Sequence, residues 1–104
     1  YKDPTLIKAQ DVVNMATVSG AKALLSEPCG AIKEGYLADM ILVDLSGIHL
    51  NPINDINALI CYCMQGSDVD TVIINGNVIM KNKKFLSIDE EKIMSEVNSI
   101  ILCK

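Results

Sequence analysis

Val69-Asp70-Thr71-Val72-Ile73-Ile74-Asn75-Gly76-Asn77-Val78-Ile79-Met80 is the stretch whose reading decides the fold. Two runs of β-branched and apolar residues flank a two-residue Asn-Gly. A type I′ turn needs positive φ at both central positions, and Asn-Gly meets that need best. The pattern predicts strands over 70–74 and 77–81 joined as a hairpin at Asn75-Gly76. Upstream, Met40-Ile41-Leu42-Val43 forms a run bounded by Asp39 and Asp44. It predicts a strand over 38–45 that wants apolar cover on both faces.

Helices are expected around these strands. Ala9 to Ala16 carries Val12, Val13 and Met15 and favours helix. Thr17 is expected to cap a second helix, Val18 to Leu25, by accepting from the Gly20 N–H, with Pro28 and Gly30 ending it. Pro4 breaks the chain before them. Asn51-Pro52 reads as a cap followed by proline at the first helical position, with Ile56, Leu59, Ile60 and Cys63 on one face and Gly66 as terminator. Ser87 and Glu90 read as a capping box opening a last helix, whose stripe is Ile93, Val97, Ile100 and Ile101. The order α–α–β–α–β–β–α makes an α+β fold: a small sheet with flanking helices. Three strands and a few short helices supply too little cover for the apolar runs, which points to partner structure outside this sequence.

Composition narrows the function. The chain has 104 residues, half of them apolar, and a net charge of −4. That suits one folded domain rather than a disordered tail. No basic stripe offers itself to nucleic acid. No apolar run nears the roughly 20 residues of a membrane span, and no signal peptide is expected. A cytoplasmic setting with reduced thiols is expected for Cys29, Cys61, Cys63 and Cys103. The first residue is Tyr1, which fits a chain that begins inside a longer reading frame.

No catalytic constellation emerges. His49 is the only histidine, and a hydrolytic metal needs several His or carboxylate ligands; His49 reads as a solvated loop residue. Cys61 and Cys63 are too close for usual zinc spacing and diverge on a helix. Asp39 and Asp44 sit at opposite ends of a strand and read as structural caps rather than an acid–base pair. No serine or cysteine has a credible base.

Three ordered blocks carry a resemblance. Met15-Ala16-Thr17-Val18-Ser19-Gly20-Ala21-Lys22-Ala23-Leu24 looks like the Ala-Thr-x-x-Gly-Ala-x-Ala-Leu stretch of amidohydrolases. Gly30-Ala31-Ile32-Lys33-Glu34-Gly35-Tyr36-Leu37-Ala38-Asp39-Met40-Ile41-Leu42-Val43-Asp44 resembles their Gly-x-Ile-x-x-Gly-x-x-Ala-Asp-hydrophobic run. The 69–80 hairpin is similar to their closing Val-Asn-Gly hairpin. Within that superfamily the chain most resembles the 5′-methylthioadenosine/S-adenosylhomocysteine deaminases and chlorohydrolase-like enzymes. The Asn51-Pro52 segment leading into Gly66-Ser67-Asp68-Val69 supports that subgroup.

The resemblance implies a longer metal-dependent enzyme, a (β/α)₈ barrel with a small β-sandwich built from both chain ends, that deaminates a purine nucleoside or related heterocycle. A barrel takes about 250 residues. Residues 1–29 would be the helical segment packed beside it, and 30–104 the C-terminal half of the sandwich with its terminal helix. The family's metal ligands would precede Tyr1, so no catalytic, cofactor-binding or metal residue carries onto this sequence; zinc or iron is expected only in the whole enzyme. The implied partners are the remaining strands and the barrel, with self-association of the chain through its bare edge when these are missing. Two alternatives stay open: a stand-alone, non-catalytic interaction or oligomerisation domain, and a small metal module built from His49, Cys61, Cys63 and Cys103. The cysteine reading predicts four titratable thiols under denaturing, non-reducing conditions. Stoichiometric zinc, or fewer thiols, would contradict it.

Overall fold

A computed structural model describes residues 3, 6–25 and 28–102 of the chain. Pro4 and Cys103, both used in the sequence reading, lie outside the described residues. The fold is α+β. A four-stranded antiparallel sheet runs in the order β1 (Met40–Val43), β2 (Val69–Ile74), β3 (Asn77–Lys81) and β4 (Lys84–Phe85). Helices α1 (Ala9–Asn14) and α2 (Gly20–Ala23) precede the sheet, α3 (Ile56–Tyr62) lies between β1 and β2, and α4 (Glu90–Leu102) follows it.

The hairpin forms where Asn75-Gly76 predicts it. Asn75 has φ 50° and Gly76 φ 77°, both positive as a type I′ turn requires. β2 and β3 pair through Ile74 opposite Asn77 and Ile73 opposite Val78. β1 lies on the other side of β2, with Met40 opposite Ile73 and Leu42 opposite Thr71. A second tight turn follows at Asn82 (φ 52°) and Lys83 (φ 65°), and it adds β4, with Met80 opposite Phe85. The sequence reading has three strands and misses this one, because β4 is two residues long and Lys83 is an unusual occupant of positive φ. The Lys83 N–H donates to the Asp70 carbonyl at 2.9 Å, which holds the turn against β2.

Several helix starts differ from expectation. Ala9 to Ala23 is one continuous helical path, since a π-helical turn over Met15–Ser19 joins α1 to α2. Thr17 therefore caps nothing; its hydroxyl donates back to the Val13 carbonyl at 2.8 Å, the usual fate of a mid-helix threonine. Leu25 ends the path at φ 52°. Asn51 does not cap α3. Its carboxamide donates to the Leu45 and Gly47 carbonyls at 3.0 and 2.8 Å, and the Asn51–Pro52 peptide is cis. Asp55 is the cap, accepting from the N–H groups of Asn57 and Ala58 at 2.9 and 3.3 Å. At its end, α3 closes with the Cys63 and Met64 N–H groups on the Leu59 carbonyl, before Gly66 is reached. Likewise Asp89, not Ser87, caps α4, taking the Lys92 N–H at 3.1 Å.

Burial is sparse. Among the described residues the buried apolar side chains are Leu50, 1% exposed, and Leu59, 6% exposed. Leu50 sits in a short 3-10 turn, Ile48–Leu50. The run expected to be buried on both faces is not: Ile41 and Leu42 at the centre of β1 are 48% and 54% exposed. The expected inner face of α4 is open as well, with Ile93 48% exposed, and that of α3 is buried at Leu59 but open at Ile56, which is 50% exposed. The radius of gyration is 17.7 Å, against about 13 Å for a compact chain of 100 residues. The sheet and helices are formed, but the described residues enclose little core.

Three substitutions test these contacts. Gly76→Val forces a β-branched residue to positive φ and should lower the melting temperature. Asp39→Ala removes a carboxylate that accepts the Asn75 N–H at 2.7 Å, and should cost about 1–2 kcal/mol. Leu50→Ala opens the small core and should cost about 2–5 kcal/mol. Unchanged thermal unfolding in any of them would contradict the contact it removes.

Candidate functional site

The polar constellation with the most structure lies where the Ile48–Leu50 turn meets a second 3-10 turn, Gly66–Asp68. His49 is not a free loop residue. Its Nε2 lies 2.9 and 2.8 Å from the two carboxylate oxygens of Asp68. A carboxylate only accepts, so Nε2 carries the proton and Nδ1 is the open acceptor when the ring is neutral. The Asp68 side chain is 10% exposed and that of His49 40%. Asp68 also accepts the Gln65 N–H at 2.8 Å. Its carbonyl takes the Asp44 N–H at 2.8 Å, tying the end of β1 to the start of β2.

Gly47 makes room for this pairing. A Cβ there would stand 2.6 Å from Cε1 and 2.9 Å from Nδ1 of the imidazole. The sequence reading missed Asp68 as a partner; the signal available was Gly47-x-His49 with Gly66-Ser67-Asp68 downstream, but nothing in spacing alone brings residues 19 apart together.

Beside the pair lies an open cleft of about 280 Å³, lined by His49, Asn51, Asp55, Leu59, Tyr62 and Cys63 among others. Its polar groups are mostly committed: Asn51 to its own loop and Asp55 to the start of α3. The other sequence candidates are dispersed. The Asp39 carboxylate accepts from the hairpin turn. That of Asp44 accepts the Ser46 N–H at 3.0 Å. Both act as caps, five residues apart. The Cys61 thiol donates to the Ala9 carbonyl at 3.3 Å and ties α3 to α1, while Cys63 is exposed. Among the described residues, no three His, Cys, Asp or Glu side chains gather as metal ligands would. No helix among them is long and apolar enough to cross a membrane.

The bond from the Gln65 N–H, and next the one from His49, hold the Asp68 carboxyl below its ordinary 3.8. Ser46 does the same for Asp44. A carboxyl depressed by folding stabilises the native state above its unfolded pKa, and that contribution fades as pH falls through 3.8 toward the folded value. Asp68→Asn should therefore lower stability at neutral pH and flatten its decline over the acid range below about pH 5. His49→Ala should lower the melting temperature and move acid unfolding to higher pH. Acid titrations of both variants that overlay the unsubstituted chain would contradict the pairing.

The comparisons agree with the fold. The amidohydrolase family model matches residues 1–79. A 5-methylthioadenosine/S-adenosylhomocysteine deaminase of Acetivibrio thermocellus is 48% identical over 101 residues, which cover 96% of this chain and 23% of that protein. The enzyme of the same name from Pyrococcus abyssi is 43% identical over 96 residues, 92% of this chain and 22% of its own length. An adenosine deaminase from Xanthomonas campestris, solved with bound zinc, superposes on 93% of this chain and 22% of its own with a TM-score of 0.88 at 26% identity. An atrazine chlorohydrolase from Arthrobacter aurescens, complexed with zinc, does so with a TM-score of 0.79 at 26% identity, over 90% of this chain and 21% of its own. The chain thus spans under a quarter of the length of these relatives. The three sequence blocks, the matching family model and deaminase relatives above 40% identity converge: this chain belongs to the amidohydrolase family.

Proposed function

We propose that this chain is the structural C-terminal portion of a metal-dependent hydrolase that deaminates a purine nucleoside or a related heterocycle. The observation that carries this is the 48% identity to a deaminase along 96% of the chain. Residues 1–29 pack beside the barrel of the whole enzyme, and residues 30–104 supply the C-terminal half of its sandwich. The half-open strand β1, the exposed Ile56 of α3 and the exposed face of α4 support that reading, because strands and helices of this composition bury their apolar sides in finished domains.

The chain's own residues are assigned no chemical step. The described carboxylates and thiols are dispersed, so they do not fit a hydrolytic metal, which needs clustered ligands and an open position. A metal-bound water would be the nucleophile of such a deamination, and its ligands belong elsewhere in the whole enzyme. What this chain does is hold shape: Asp39, Asp55, Asp68 and Asp89 spend their carboxylates on backbone N–H groups or on His49.

The test is ammonia release from adenosine-type substrates. The chain alone, with zinc or iron added, should release none, and supplying the preceding portion of the enzyme as a separate polypeptide should restore turnover. Turnover by the chain alone, abolished by His49→Ala, would overturn the reading. A folded chain that neither turns over nor responds to that portion would favour an independent interaction domain.

A further inference from the structure

Asn75-Gly76 makes the hairpin, and the same dipeptide carries a latent reaction. The backbone nitrogen of the residue after an asparagine can attack the asparagine carboxamide, and glycine, with no side chain, hinders that attack least. Both residues are exposed. A Cβ on Gly76 would meet nothing within 4 Å, so packing does not shield the glycine. What opposes the attack is hydrogen bonding. Ring closure needs the Gly76 nitrogen to swing toward Cγ of Asn75. The Asn75 N–H donates to the Asp39 carboxylate at 2.7 Å, and the Gly76 N–H donates to the Ala38 carbonyl at 3.1 Å. These two bonds pin the peptide units on both sides of the Asn75 Cα to the residues that lead into β1.

We propose that Asn75 is a deamidation site that the Ala38-Asp39 segment holds shut, and that the site reacts when this clamp opens. In the reaction the Gly76 nitrogen forms a bond to Cγ of Asn75 and the Cγ–Nδ2 bond breaks. The proton from the Gly76 nitrogen leaves with Nδ2 as ammonia. Water then opens the five-membered succinimide at either carbonyl, which leaves aspartate or isoaspartate at position 75.

Both products weaken the clamp that failed. Each places a new negative charge on the residue whose N–H the Asp39 carboxylate accepts. Isoaspartate also adds a methylene to the main chain of a two-residue turn, whose φ values of 50° and 77° belong to normal backbone spacing. Ile74 then loses its register opposite Asn77. The change does not reverse, so modified chains accumulate with each opening.

The test follows deamidation and isoaspartate at each asparagine of the full chain by peptide mass mapping, in mildly alkaline buffer with no nucleoside present, so its outcome is separate from the proposed function. The reference is the same chain in guanidinium chloride. Asn75 should react at least about tenfold more slowly in buffer than in denaturant, because local opening precedes reaction. Asp39→Ala should raise the rate in buffer about tenfold. Asp39→Asn, which keeps an acceptor without its charge, should fall between. Asp55→Ala, which uncaps α3, should leave Asn75 unchanged. Asn98, followed by Ser99 in α4, separates local from global opening: its rate should hold in Asp39→Asn while that of Asn75 rises, even where Asp39→Ala unfolds the chain. Equal rates at Asn75 in buffer and in denaturant would overturn the proposal. So would Asp39 variants in which Asn75 reacts no faster, or more slowly, since the carboxylate would then be neutral or assisting.

Discussion

A carboxylate oxygen of Asp39 lies 2.7 Å from the backbone nitrogen of Asn75, and much of the sheet depends on that contact. It joins the residue before β1 to the turn between β2 and β3. The Gly76 N–H donates to the Ala38 carbonyl at 3.1 Å in the same place. A type I′ turn leaves its N–H groups pointing outward, so an acidic side chain and a carbonyl from the neighbouring strand satisfy them. β1 is thereby registered against β2 with Met40 opposite Ile73. At the far end the Asp44 N–H and the Asp68 carbonyl close the same pair of strands. Between these two clamps the sheet is defined by backbone and carboxylate geometry more than by a buried core.

The contacts also explain why the sequence blocks look as they do. Ala38-Asp39 and Asn75-Gly76 belong to separate blocks, yet they are two halves of one hydrogen-bonded junction. The Thr17 block and the Gly30 block meet similarly: a Cβ on Gly30 would stand 2.7 Å from the Thr17 carbonyl oxygen. Glycine at 30, at φ 93°, lets the chain pass against the π-helical turn. Each block is weakly informative alone because half of its constraint lies in another.

That pairing sets what could be read from sequence. The Asn75-Gly76 hairpin was legible because its cause is local. So were the apolar run of β1 and the last helix, whose 3.6-residue stripe is intact. The caps of α3 and α4 fall at Asp55 and Asp89 because Asn51 serves the Leu45 and Gly47 carbonyls of the loop before it and because several capping residues compete along 87–90. The His49–Asp68 pair was illegible, since it depends on how two 3-10 turns are brought together across the end of the sheet. Burial was the larger surprise: Ile41 and Leu42 have the pattern of interior residues and the exposure of surface ones. Hydrophobic pattern reports what a strand is built to bury, and the cover can come from outside the stretch that carries the pattern.

The central claim is that this chain is folded in outline but relies on further structure for its core. Amide hydrogen exchange tests it most directly, with β1 and β2 followed in the chain alone and in the whole enzyme. If the claim holds, amides of residues 40–43 and 69–74 exchange through low-energy openings in the isolated chain and become strongly protected in the whole enzyme. Equal, strong protection in both would mean that the chain stabilises its own sheet, and would contradict the account.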